Sequence, residues 1–299
     1  MQTKDDIIRL YETGMAILSG VDGPPDQAAL AIAASSFAEA ASQSPMAKAK
    51  HAVMLALGAG VALDDEAASE QFVDAAMSGH PGLLRELAML LLIAPATQHT
   101  EQLAAGLLRR AASAGDWIAA FLILREAQRE RYLAPYGTLQ TLAIQLSESV
   151  PFAHYLRANV RYLERNINPV SSAPFDTGAC LQAVRQALVG HAPPEPTTLA
   201  TFPQVTAHKK ILQPIECDYI IARSVAHLQP SKVIDPAEAN AIQAHFRTSE
   251  GATLLPANLD LPLISMMRSL SKLTHKPVSH GEFLAMLRYA PGHEYKPHH

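Results

Sequence analysis

A chain of 299 residues is long enough for two domains, and an apolar share of 48% with a mean hydropathy of +0.05 permits a substantial core. Its 24 basic and 28 acidic residues leave a formal charge of -4. The Lys209-Lys210 pair is too short for a basic patch, which excludes nucleic acid and anionic membrane as expected partners.

Cys180 and Cys217 are the only cysteines, as suits a reducing compartment in which nothing depends on a disulfide. The opening MQTKDDIIRLYETG carries acidic residues and no apolar core, so it does not read as a secretory signal. The longest apolar run, 87–96, is about ten residues, against roughly 20 needed to span a bilayer. A cytoplasmic location is the expectation.

Residues 1–130 read as helix after helix, rich in Ala, Leu, Glu, Gln and Met and poor in β-branched side chains. Three segments resemble one another: SSFAEAASQSPMAKAKHAVML, EQFVDAAMSGHPGLLRELAML and AGLLRRAASAGDWIAAFLIL. Aligning Ala41, Ala76 and Ala112 gives offsets of 35 and 36. Each copy has a large apolar residue four positions earlier (Phe37, Phe72, Leu108), then a turn, then a second apolar helix. This pattern predicts stacked antiparallel helix pairs, with those three side chains inserted between layers. The connector GAGVALDDEAA offers glycines to stop one helix and Asp64 or Asp65 to cap the next. Its Gly58, Gly60, Val61, Asp64 and Ala67, with the turn residues Ala75, Ala76, Gly79 and His80, resemble the Sel1-like branch of tetratricopeptide-type repeats over about 26–128. The third connector, IAPATQHTEQL, lacks both glycines, and Leu83 or Leu84 stands where that family prefers Ala. The resemblance implies a protein or peptide partner held on a concave face, with His80 and Trp117 structural.

Residues 131–198 carry further helical periodicity, in LQTLAIQLSESVPFAHYLRANVRYLERN and ACLQAVRQALVG, and close on HAPPEPTT. That proline-dense stretch reads as a linker and places the domain boundary. From 199 onward the signals are mixed. TFPQVTAHKKIL suits a strand, PIECDYIIARSVAHL a helix, NLDLPLISMMRSLSKLTH a helix capped near Asp260, and GEFLAMLRYAPGHEYKPHH a strand, turn and strand.

Several pieces of this last stretch together resemble the prolyl-4-hydroxylase-like group of iron- and 2-oxoglutarate-dependent dioxygenases. They are Leu212 with Glu216, Cys217, Asp218, Tyr219 and Ile220; Arg247, Thr248 and Ser249; Asp260; and the run LRYAPGHEYKPHH at 287–299. By that resemblance His298 is the first ligand of a His-x-Asp iron motif and His299 its middle residue. Tyr289 would help hold the distal carboxylate of 2-oxoglutarate, and Tyr295 would line its pocket. Arg247, Thr248 and Ser249 would form a loop near the substrate entrance. The implied cofactors are Fe(II) and 2-oxoglutarate, with ascorbate as a further one, and the implied reaction is hydroxylation of an unactivated C–H bond. A centre that chelates a keto acid and binds oxygen needs two imidazoles, a carboxylate and open positions. The sequence given stops where the motif's aspartate is due. The expectation is therefore a dioxygenase domain cut inside its metal motif, with little turnover in this polypeptide. The expected fold is mainly α, an α/α solenoid of helix pairs followed by an incomplete α+β domain of double-stranded β-helix type at 199–299. Its unpaired C-terminal β edge invites self-association. The alternative reading is a repeat-based adaptor without catalysis.

Overall fold

The computed structural model describes residues 3–20, 23–129, 151–154, 175–234, 241–242 and 247–296. The first part is α1 (Lys4–Ser19), α2 (Gln27–Ala40), α3 (Pro45–Leu57), α4 (Asp65–Ala76), α5 (Pro81–Ile93), α6 (Gln98–Ser113) and α7 (Trp117–Gln128). Most starts are set by a short oxygen-bearing side chain that accepts an orphan N–H of the first turn. Asp26 accepts from Ala29, Ser44 from Ala47, Asp64 from Ala67 and Asp116 from Ala119. Pro45 and Pro81 occupy first-turn positions, where a missing N–H costs nothing.

The repeat offsets correspond to structure. Ala41 follows α2, Ala76 closes α4 and Ala112 lies near the end of α6. Phe37, Phe72 and Leu108 are all 0% exposed, at matching depth in successive pairs. The α3–α4 connector passes directly over α2 at Gly60, where φ is +69° and a Cβ would stand 2.2 Å from the Leu30 carbonyl. Only glycine satisfies both demands.

Helix α8 (Thr177–Val189), capped by Asp176, packs on α4 and α5. The segments 131–150 and 155–174, for which the sequence predicts further helix, lie outside the described residues. The proline-dense stretch then runs without regular structure to Thr197, where β1 (Thr197–Thr201) begins and pairs antiparallel with β2 (Gln204–Ala207). Thr197 and Thr198 thus join a strand instead of the linker, because their extended, β-branched backbones find a partner across the tight Phe202-Pro203 turn.

Helix α9 (Pro214–Val225) packs on α7, and α10 (Leu261–Thr274) packs on α3, α5 and α8. The short strand β3 (Gln229–Pro230), β6 (Glu250–Leu254) and β7 (Leu284–Arg288) form an antiparallel sheet in the order β3-β6-β7. A second small pair joins β4 (Val233–Ile234) and β5 (Ala241–Ile242). Among the described strands no barrel closes. The result is a helical region of packed pairs followed by an open, incomplete β region.

One core runs through both parts. Val53, Leu87, Leu108 and Ile123 belong to the same buried cluster as Cys180, Tyr219, Leu254, Leu263 and Met266. Helices α3, α5 and α7 lie between α2, α4 and α6 on one side and α9 and α10 on the other, while α8 fills the join between α4, α5 and α10. No helix among the described residues is long and apolar enough to cross a membrane.

Candidate functional site

The sheet β3-β6-β7 brings the C-terminal candidates together. Register pairs Gly251 with Leu287 and Thr253 with Ala285 on one face, and Ala252 with Met286 and Leu254 with Leu284 on the other. Ala252 and Leu254 are buried, and Leu284 packs on the main core, so the second face looks inward. The first face is left open: Phe283, Leu287 and Tyr289 are each nearly half exposed. It floors a groove of about 580 Å³ whose walls include His227, Ser231, Lys232 and Arg247.

Arg247 and Tyr295, 48 positions apart in sequence, meet as an antiparallel bridge beyond the end of β7. The Arg247 guanidinium carbon lies 4.9 Å from the centre of the Tyr295 ring, a cation–π placement that holds both side chains. Thr248 doubles the link. Its backbone N–H donates to the Glu294 carbonyl at 3.0 Å, and its hydroxyl accepts from the Glu294 N–H at 2.8 Å. Ser249, which is buried, donates its hydroxyl to that of Ser231 at 3.0 Å and receives Arg247 Nε at 3.4 Å. Arg247, Thr248 and Ser249 therefore join Tyr295 in one hydrogen-bonded corner, while Tyr289 follows β7 at the open face. His298 and His299 lie outside the described residues.

The other sequence landmarks have structural partners. Asp260 caps α10, accepting from the Leu263 N–H at 3.0 Å, and takes the Tyr219 hydroxyl at 2.7 Å on its other oxygen. Burial, reinforced by Asp260, pushes the Tyr219 hydroxyl well above its ordinary pKa, so it acts as a donor. Glu216 is fully buried and accepts the Gln213 N–H at 2.7 Å, with His191 Nε2 2.9 Å away. Its hydrogen bond raises the His191 pKa. Asp218 pairs with Arg125 at 3.2 Å and with Arg129. Cys217 is exposed. His208 Nδ1 lies 3.0 Å from the Pro194 carbonyl, His227 edges the groove, and His245 is outside the described residues. Among the described residues no group of three or more His, Cys, Asp or Glu side chains converges as a metal would need. The described residues do not by themselves fit an iron centre.

A second polar cluster has no counterpart in the sequence reading. Lys50 Nζ on α3 donates to the carbonyls of Ala257 and Leu259 at 2.8 and 3.0 Å, gripping the turn between β6 and α10. Arg223 on α9 donates to the Asn258 carbonyl at 2.6 Å and lies 3.0 Å from Asp260. Arg85 pairs with Asp116 and stands 3.4 Å from Glu86. Burial, with the nearby Asp260 charge, raises Glu86 to about 7 against the pull of Arg85, Arg223 and Lys50. One signal was available in the sequence: Arg85-Glu86 is a charged pair inside the otherwise apolar helix PGLLRELAMLLLI.

No protein-family model matches the chain. Two curated relatives come from Arabidopsis thaliana. Prolyl 4-hydroxylase 1 is 30% identical over 112 residues, which are 37% of this chain and 39% of that protein. Probable prolyl 4-hydroxylase 10 is 32% identical over 97 residues, 32% of this chain and 33% of that protein. The region that follows the helical repeats resembles prolyl hydroxylases at low identity. The chain spans about a third to two fifths of the length of these relatives. Among solved structures, a Sel1 repeat protein from Oxalobacter formigenes is 21% identical, with a TM-score of 0.34 over 60% of this chain and 51% of that one.

Proposed function

We propose that residues 199–299 form part of a hydroxylase domain that uses Fe(II) and 2-oxoglutarate, mounted on a helical-repeat array, with a protein or peptide substrate. Support comes from the density of matching positions in LRYAPGHEYKPHH together with the identity to plant prolyl 4-hydroxylases. In this reading the open face of β6 and β7 is one wall of the keto-acid pocket, with Tyr289 on that wall. Tyr295, braced by Arg247, stands beside it, and the loop 247–249 borders the substrate entrance. His298 supplies one iron ligand. A carboxylate and a second imidazole are required beyond it, along with a cation for the distal carboxylate of the keto acid.

The reading frame past codon 299 tests this directly. An aspartate at position 300, a later histidine and an arginine or lysine some ten residues beyond support it, and the longer polypeptide then converts 2-oxoglutarate to succinate. A stop codon at 300 overturns it in favour of the adaptor. The 299-residue polypeptide is expected to bind Fe(II) weakly; one tight equivalent in an anaerobic titration contradicts that.

A protein partner of the array would meet the outward side of α2, where Ile32 is 56% exposed. The edge of β7, which has no partner among the described strands, is proposed as a self-association surface.

A further inference from the structure

Helix α5 is covered on every side, its charged pair Arg85-Glu86 included. Leu83, Leu87, Leu90 and Leu91 on one side and Ala88, Met89 and Ile93 on the others are between 0% and 4% exposed, and even Arg85 is only 6% exposed. Helix α7 repeats the pattern, with every residue from 118 to 124 buried. In a two-layer stack of helix pairs each second helix turns one side to water and carries polar residues there. Helices buried all round belong to a middle layer, and here α9 and α10 supply the third.

We infer that the face formed by α3, α5 and α7 is an intrachain docking surface whose dedicated occupant is α9 and α10 with the turn that leads into α10. The C-terminal region is then held on the array by side-chain contact, independently of the covalent link at 191–198. The inference does not depend on the hydroxylase reading.

Two kinds of contact carry it. The apolar part is continuous: Ile215, Tyr219, Leu261, Leu263 and Ile264, each 0–2% exposed, share one core with the middle layer. Left bare, that face would be a contiguous exposed apolar patch. The polar part fixes orientation, because several charges at the edge of the apolar face are matched from the other side. Lys50 meets the carbonyls of Ala257 and Leu259, and Arg125 and Arg129 meet Asp218. Arg268 of α10 grips Asp65 with both arms, at 2.8 and 2.7 Å, and also reaches the Ala56 and Leu188 carbonyls at 2.5 and 2.6 Å. It thereby closes the C-terminal ends of α3 and α8 at once.

The test is to insert a protease recognition sequence between Glu195 and Pro196, both exposed, in the full chain carrying an N-terminal tag. After cleavage the tag is expected to retain both fragments in equal amounts, in low and high salt alike. Release of the C-terminal fragment overturns the inference, whether the array then stays folded or precipitates. A second arm uses Ile264→Asp in the uncut chain. One cooperative loss of helical signal at a lowered temperature for the whole chain is expected. An array that melts at its original temperature while the C-terminal region is already unfolded contradicts the inference.

Discussion

Single side chains in the buried ionic joint set how stability responds to pH. Glu86 binds its proton more tightly in the folded protein, near pH 7, than in the unfolded chain, where the ordinary value is 4.5. Between those values the native state holds a proton that the unfolded state has lost, so stability falls as pH rises from about 4.5 to 7. His191 adds to the same trend. Its raised pKa contributes stability below the ordinary 6.5 that is lost as pH climbs through the folded value. Glu86→Gln, which keeps the shape and removes the charge, is expected to flatten the slope between pH 4.5 and 7 and to raise stability at pH 8 by about 1–3 kcal/mol. Urea unfolding at several pH values measures both; an unchanged slope would place the proton elsewhere. Gly60 makes an independent point. An alanine there meets both a left-handed backbone and the Leu30 carbonyl, so Gly60→Ala should lower stability by about 1–3 kcal/mol in the same assay. Residues of this second kind were legible in the sequence, since a glycine between helices announces a backbone constraint. The ionic joint was not: Lys50, Glu86, Arg223 and Asp260 are far apart in the chain, and single-sequence periodicity cannot say which distant charges share a cavity.

Elements followed their local signals closely. Caps at Asp26, Ser44, Asp64 and Asp260 start helices as short polar side chains before apolar runs should, and Pro214 opens α9. The alternation in FLAMLRY separated the inward Leu284 and Met286 from the exposed Phe283, Leu287 and Tyr289. What the alternation could not disclose was the partner of each strand. The corner that joins Arg247, Thr248 and Ser249 to Glu294 and Tyr295 depends on a pairing between segments with no common pattern. The roles of Glu216 and Asp218 were equally hidden, because their partners His191, Arg125 and Arg129 lie on other elements. At this scale β7 is the exposed flank among the described strands, with Leu287 on its open face. Leu287→Lys, a charge on a bare apolar strand, is expected to reduce concentration-dependent association in sedimentation velocity while leaving the helical signal intact. Equal association in both proteins would remove β7 as the contact.

For the molecule as a whole, the repeat offsets of 35 and 36 told where the helix pairs are. The apolar run 87–96 and the segment WIAAFLIL carried more information than a test for a membrane span draws out of the first: burial on every side specifies a middle layer. The turn at 255–260, gripped by Lys50 and Arg223, connects that layer to the foot of β6, so the open sheet face stands at a height set by the helices. Anyone wishing to lift residues 26–128 out as a portable recognition scaffold would meet this arrangement as an engineering problem. The apolar side chains of α3, α5 and α7 that α9 and α10 now cover would need repainting with water-soluble ones before the excised piece could live alone in solution.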